Sequence, residues 1–272
     1  MCACMINNKF TSPLAHMLSL VRSIFRRRGG GGALRPLCLS ESLSCKPGES
    51  YTLDGVQHQL PNVKIVPNSR SSLPIMSDKN ARILKALLAD FRDVCKELDL
   101  PCWASGGTLL GVARHQGFVP WDDDLDMHMH RKDLGKLFSP AFRDALRKKN
   151  LVLAMSRNRK FDMIKVTRPF AKNETVKHWI DLFFVDTVPH HPGVTSRCVS
   201  PWYEYPKPCW KWSYEEKWPT SHIFPLKDVV FEDMRVTSPH KAKEMLEKQY
   251  GPRVLNEYKK YNTHPGEILD IL

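Results

Sequence analysis

The stretch WASGGTLLGVARHQGFVPWDDDLDMHMH, residues 103–130, constrains this chain most, because four carboxylates (Asp122, Asp123, Asp124 and Asp126) fall within five positions. Like charges at that spacing repel one another, so a fold must either leave them in water or match them with a cation. From Asp124 to His130 polar and apolar residues alternate strictly. That pattern predicts a half-buried strand with Asp124, Asp126, His128 and His130 on one face and Leu125, Met127 and Met129 on the other. Strand rise alone sets the Asp124 and Asp126 carboxylates roughly 6–7 Å apart. Two oxygen donors at that separation suit a hard divalent cation such as magnesium, which takes carboxylates together with substrate phosphates and water.

Two further features belong with this pair. Gly106 and Gly107 lie just before it, where missing side chains let the backbone approach a phosphate, and Thr108 adds a hydroxyl at the start of the next helix. Far downstream, HWIDLFFVD puts Asp181 in a strand otherwise made of Trp, Ile, Leu, Phe and Val. An ionised carboxylate among such residues is costly without a partner cation, as a third metal ligand would have. A lone Gly-Gly-Thr is usually a turn, and a lone DxD is often a solvated face. Glycine turn, DxD strand and a distant single-Asp strand in that order are the pattern of the nucleotidyltransferase superfamily.

Organisation along the chain supports a sheet domain. Residues 1–75 are rich in Gly, Ser and Pro and read as a leader plus poorly structured linker, with the catalytic domain over 76–272. SDKNARILKALLADFRDVCKELDL carries apolar residues at helical spacing, with Ser77 or Asp78 as its cap. Cys102–Ala104 reads as a short buried strand, residues 131–149 as one helix, and Leu151–Met155 and Phe161–Thr167 as strands. FPLKDVVFEDMRVTSP predicts a hairpin, and SPHKAKEMLEKQYG a helix capped by Ser238, with Pro239 first and Gly251 just past its end. PWYEYPKPCWKWSYEEKWP is an aromatic-rich insertion. The fold class is α+β: a mixed sheet flanked by helices.

Composition removes several alternatives. The formal charge of +12 suggests a nucleic-acid binder until it is divided, because residues 1–40 hold six basic residues and no acid. The rest carries 35 basic against 29 acidic groups, without a like-charge block long enough to be a binding tail, so no nucleic-acid partner is expected. Eight cysteines form no CxxC pair and no zinc-finger spacing. There is no run of about 18 apolar residues, hence no clear spanning helix, and membrane association is left open. The Arg-containing, acid-free start reads either as a transit-type segment or as a flexible leader.

The run GGTLLGVARHQGFVPWDDDLDMHM resembles the signature of the LicD family, which includes phosphocholine transferases of bacterial surface glycans and the fukutin-related ribitol-phosphate transferases. HWIDLFFVDTVP and HIFPLKDVVFEDMRVTSPHKAKEMLEKQYG are similar to the family's later blocks, so the likeness spans about Asp78 to Gly251. It implies a nucleotidyltransferase-type fold, magnesium or manganese, a CDP-activated alcohol as donor and a glycan hydroxyl as acceptor. It also implies the phosphate turn at Gly106, Gly107 and Thr108, the metal pair at Asp124 and Asp126, and the third acid at Asp181. Two cations would bridge the donor diphosphate and CMP would leave, with Asp181, or else Asp126, taking the acceptor proton. Relatives of this kind act in the secretory pathway or Golgi; a cytoplasmic or organellar location stands beside that.

Other residues carry open alternatives. Asp122 is expected to shape the turn after Trp121, and Asp123 to face the apolar side or bend the chain. Arg114 is a phosphate contact or an exposed helix charge; Lys165 and Arg168, near the end of a strand beside Asp181, would neutralise diphosphate. His128 and His130 are read as a polar rim in preference to zinc ligands. The aromatics from Trp202 to Trp218 form a cage for a quaternary ammonium, a packing flap, or a stacking surface for an acceptor sugar. Against the phosphotransferase stand a nucleotidyltransferase acting on a small molecule or RNA end and a non-catalytic regulator of glycan modification.

Overall fold

In a computed structural model of the chain, residues 44–45, 50–59, 64–65, 73–74, 76–156, 163–188, 191–197, 217–258 and 267–272 are described here. Residues 39–271 form one compact unit. The long N-terminal helix is α1, Asp78–Glu97, and Ser77 caps it by accepting from the Asn80 N–H at 3.3 Å. Its buried residues, Ala81, Leu84, Leu87, Leu88, Phe91, Val94 and Cys95, recur every three or four positions, as an amphipathic helix laid on a sheet requires.

The sheet behind it is mixed, as the α+β reading expects. A short strand β3 (Cys102–Ala104) runs antiparallel to β4 (Leu125–His130), and β4 lies parallel to β7 (Ile180–Val188). The labels β1 and β2 denote Ser50–Leu53 and Val56–Gln59, an antiparallel hairpin. On its other edge β7 pairs with β6 (Ile164–Thr167) and then with β8 (His191–Arg197). Outward from β6 come β5 (Val152–Ser156) and β12 (Glu267–Ile271), while β8 carries β9 (Lys217–Pro219). The pairing of β4 and β7 is the parallel one in this sheet, and it needs the long crossover from residue 131 to 179 that a parallel pair demands.

Three elements depart from the sequence expectation. Residues 131–149 are not one helix: a turn of 3-10 helix at Arg131–Asp133 and a short helix at Leu134–Leu137 precede α3, Pro140–Lys148. Pro140 lacks an N–H and disfavours helix at the residue before it, so Ser139 becomes a fresh cap, accepting from the Phe142 N–H at 3.2 Å. The helix after the hairpin of β10 (Lys227–Phe231) and β11 (Met234–Ser238) is α4, Ala242–Tyr250, capped at Lys241 and not at Ser238. Ser238 is held in the ladder opposite Lys227, which takes it out of reach of a cap, whereas Gly251 closes the helix at φ +101° as expected.

The third departure concerns the segment expected to be a poorly structured linker. The hairpin at residues 50–59 buries Tyr51, Leu53 and His58. His58 stacks on Tyr51, donates from Nε2 to Glu232 at 2.8 Å and approaches the His115 carbonyl through Nδ1 at 3.4 Å. Burial alone pulls its pKa down, but the hydrogen bond and charge of Glu232 outweigh burial and hold the imidazole above its ordinary 6.5.

A raised histidine contributes stability that is complete below the unfolded pKa and is lost as pH climbs through the folded one. The melting temperature should therefore fall as pH rises upward from 6.5, and Glu232→Gln should flatten that slope. An equal slope in both proteins would show that the pair does not carry it.

Candidate active site

The site forms where β3 turns into α2, Gly106–His115, next to the N-terminal ends of the two parallel strands. Parallel register sets Asp126 directly beside Asp181, one strand spacing apart and on the same face. Asp181 is the second residue of its strand, nearer the end than the sequence suggests. Asp124 precedes β4 by one residue and is buried, and the ligand oxygens of Asp124, Asp126 and Asp181 all lie within 4.8 Å of one another. The structure thus brings together the three acids singled out from sequence.

The glycine pair has a sharper function than a flexible turn. Gly106 and Gly107 are the first two residues of α2. Gly106 adopts φ +47°, and a Cβ on it would collide with the Asp126 carboxylate. A Cβ on Gly107 would collide with the carboxylate of Asp122. The missing side chains make room for two carboxylates against a helix N-terminus, where the backbone dipoles favour negative charge. Asp126 exploits this directly, accepting the Gly107 N–H at 2.6 Å. Thr108 is buried, and its hydroxyl accepts the Asp126 N–H at 2.8 Å, so it holds the strand rather than reaching outward.

Asp122 is the acid that sequence reasoning undervalued. Its backbone N–H does close the turn onto Val119 at 2.9 Å, as expected. Its side chain nevertheless lies over Gly107, and the ligand oxygens of Asp122, Asp123 and Asp124 also fall within 4.8 Å of one another. The turn role expected of Asp122 does not exclude a place in the cluster, and alternation does not reach Asp123 because the ladder starts only at Leu125, so residues 122–124 are not yet strand. The signal available was the second glycine, which has no use unless something must pack against it.

Asp124 bears the electrostatic consequence. Burial first, then the charges of Asp126, Asp122, Asp181 and Asp123, push its pKa well above the ordinary carboxylate range. Burial and repulsion disfavour its charged form, which positive charge entering the cluster would favour. The donor set consists of carboxylate oxygens, the chemistry of a hard divalent cation.

Lys165 is not a surface cation awaiting a diphosphate. It is fully buried, sits opposite Asp181 in the β6–β7 ladder, and donates to Asp181 Oδ1 at 2.6 Å while its ammonium lies 4.1 Å from the Trp179 ring. A carboxylate has two oxygens, so Asp181 held at Oδ1 retains Oδ2 as a donor atom. Arg168 is committed elsewhere: it reaches Asp90 on α1 at 2.7 Å and the Lys149 carbonyl at 2.7 Å, tying α1 to the end of α3. Arg114 donates to the Val254 and Glu257 carbonyls at 3.1 and 3.2 Å and lies 5.7 Å from the Trp121 ring, bracing α2 against the chain after α4.

His128 is no polar rim. Trp103, Phe183 and Trp218 surround it with centroids about 6 Å away, and burial, then the charge of Arg197, drives its pKa down to about 3. This neutral histidine is core, because β9 brings Trp218 over that part of the sheet. His130 stacks on Phe224 at 5.2 Å. Both candidate metal groups among the described residues consist of aspartates alone. Of the aromatic insertion, Trp218 is described and buried, while residues 202–214 lie outside the described residues.

Residues 99–241, just over half of the sequence, match the family model described as LicD/FKTN/FKRP, nucleotidyltransferase domain. The chain belongs to the LicD family. A lipopolysaccharide cholinephosphotransferase LicD of Haemophilus influenzae is 30% identical over 115 residues, covering 40% of this chain and 43% of the relative. The ribitol 5-phosphate transferase FKRP of Mus musculus, and likewise that of Homo sapiens, is 48% identical over 33 residues, 12% of this chain and 7% of theirs. The chain therefore aligns with less than half the length of each of these relatives. All the acids of the candidate site fall inside residues 99–241, and the hairpin at 50–59 falls outside them.

Two outcomes test this electrostatic account. Asp124→Asn removes a buried charge from a repelling cluster, so the metal-free protein should melt higher, by about 2–4 °C for about 1 kcal/mol, while losing the stabilisation that added Mn2+ gives the parent. A lower melting temperature would contradict it. Lys165→Met should cost about 3–5 kcal/mol by stranding the Asp181 charge, and the Lys165→Met/Asp181→Asn double variant should recover much of that in denaturant titrations. Additive losses would show that the two residues do not act as a pair.

Proposed function

We propose that this chain is a metal-dependent phosphotransferase that moves a phospho-alcohol, such as phosphocholine or ribitol phosphate, from a CDP-activated donor to a hydroxyl of a glycan. The observation that carries the reading is the convergence of Asp124, Asp126 and Asp181 within 4.8 Å at a helix N-terminus. The activities named for the relatives, a lipopolysaccharide cholinephosphotransferase and a ribitol 5-phosphate transferase, support this substrate class.

Asp124, Asp126 and Asp181 would hold magnesium or manganese, with Asp122 close enough to join them. A cation held there would supply charge neutralisation at the phosphate oxygens and orientation of the diphosphate for in-line displacement. The residues do the remaining work. Gly107 fixes Asp126 through its N–H, Thr108 fixes the backbone at that position, and Lys165 fixes Asp181 at Oδ1. Asp181, or else Asp126, would take the proton of the acceptor hydroxyl. Because Lys165 has no exposed surface, the charge of the donor's diphosphate would fall to the cation rather than to that lysine. Burial of Asp124 and Asp181 limits water that would otherwise compete with the acceptor hydroxyl.

Among the described residues no helix is long and apolar enough to cross a membrane. In this reading the acceptor is a glycan or glycoconjugate and the partners include no nucleic acid. The deciding assay incubates the chain with CDP-choline, CDP-ribitol, CDP-glycerol and CTP in the presence of magnesium. Release of CMP from one CDP-alcohol, abolished in Asp126→Asn, supports the reading. Pyrophosphate released from CTP would replace it with nucleotidyl transfer.

A further inference from the structure

The N-terminal hairpin lies outside the matched domain, yet its contacts converge on the loop that carries the acids. Residues 116–121 link the end of α2 to Asp122. Gln116 and Glu232, both in the left-handed region at φ +56° and +54°, are joined by the Glu232 N–H donating to the Gln116 carbonyl at 2.7 Å. The Glu232 side chain is buried and does two things at once: Oε1 accepts the Phe118 N–H at 2.8 Å, and Oε2 accepts His58 Nε2 at 2.8 Å. Gly117 lies so close beneath them that a Cβ would collide with Glu232 Oε1 and come within 2.9 Å of His58 Cε1.

The tip of the hairpin is anchored independently. The Asp54 carboxylate is bound by Arg82 at 2.9 Å and Lys85 at 2.7 Å, both on α1, and Lys85 also reaches Asp233 at 3.0 Å, next to Glu232. The Asp54 N–H donates to Asp78 at 3.0 Å. Leu53 is almost wholly buried. Met76, just ahead of α1, donates its N–H to the Pro120 carbonyl at 2.6 Å. The loop before the acids is thus held by the β10–β11 turn, by the hairpin and by the residue leading into α1.

We propose that residues 50–59 are a clasp for the acidic loop and that Glu232, with His58 behind it, is a positioning residue that fixes where Asp122, Asp123 and Asp124 sit. This rests on the carboxylate cluster being the reacting site. Neither residue touches the cluster in this assignment. Glu232 acts through the Phe118 amide, and His58 acts through Glu232. A buried carboxylate that accepts from a backbone amide keeps its orientation only while its second oxygen is also occupied, which is what the imidazole supplies.

The test uses the full chain without substrate. Amide hydrogen exchange is read in the parent and in His58→Ala, His58→Gln and Glu232→Gln, and Mn2+ binding is measured by calorimetry. His58→Ala and Glu232→Gln should speed exchange over residues 117–126 about tenfold, as loss of one charged hydrogen bond implies, and weaken Mn2+ about tenfold. His58→Gln keeps an N–H for Glu232 and should restore most of the protection, which a merely space-filling histidine would not require. Faster exchange confined to residues 50–59, or spread evenly over β5 and β6, would overturn the clasp. A parent chain that binds no Mn2+ would sink the cation reading, and the exchange data would still decide the clasp.

Discussion

Everything at this site depends on one strand pairing, the parallel ladder that sets Asp126 beside Asp181. Without it the acids at 122–126 are a local cluster on one loop, as easily solvated as any surface run. With it, a carboxylate from a distant and apolar strand is driven among them, and each acid has to be accommodated by a different neighbour. The N-terminus of α2 receives Asp122 and Asp126, and buried Lys165 receives Asp181 from the opposite edge of β7. Burial and the surrounding charges raise the proton affinity of Asp124. The fold therefore places an electrostatic cost on a buried carboxylate in the middle of the donor set, where an arriving cation would relieve it.

How much of this could be read from the sequence varies with the kind of signal. Asp124, Asp126 and Asp181 were legible because a charged residue inside an apolar or alternating run conflicts with local patterning. Such conflicts concentrate at functional sites. The glycine pair was legible as a place of close approach, but sequence could not say that carboxylates of the chain itself were approaching. Asp122 was legible as a turn residue, but not as a member of the cluster, because no strand periodicity reaches back before Leu125. Lys165 and Arg168 looked equivalent on paper, three positions apart. One falls opposite Asp181 in the ladder, and the other lies past the strand end, where Asp90 of α1 is waiting.

His128 illustrates the opposite failure. Its place on the same face as Asp126 was read correctly, and the conclusion that it would be wet was not. Which part of a sheet face is covered depends on β9, a three-residue strand bringing Trp218 across from beyond an insertion. No periodicity in β4 encodes that. The hairpin at 50–59 was missed for a related reason: the alternation of Ser50, Tyr51, Thr52 and Leu53 spans only four residues, too few to set it apart from a polar linker until its partners are known. Its meaning lies wholly in long-range contacts, from His58 to Glu232 and from Asp54 to α1.

Those long-range contacts and the carboxylate cluster answer a single mechanical problem. Mutual repulsion among Asp122, Asp123 and Asp124 pushes outward on a loop that enters through Gln116, Gly117 and Phe118 and has no regular structure of its own to resist. A cation can oppose that push only when it is bound, and before then the resistance must come from covalent neighbours and hydrogen bonds. The exit of the loop is secured by the β4 ladder. The entrance is secured by a buried glutamate at left-handed φ, reached through a hairpin that folds back from the far N-terminal side of α1. Holding like charges close together in advance of their counter-ion is a preorganisation problem, and it explains why part of the solution sits outside the segment that carries the acids.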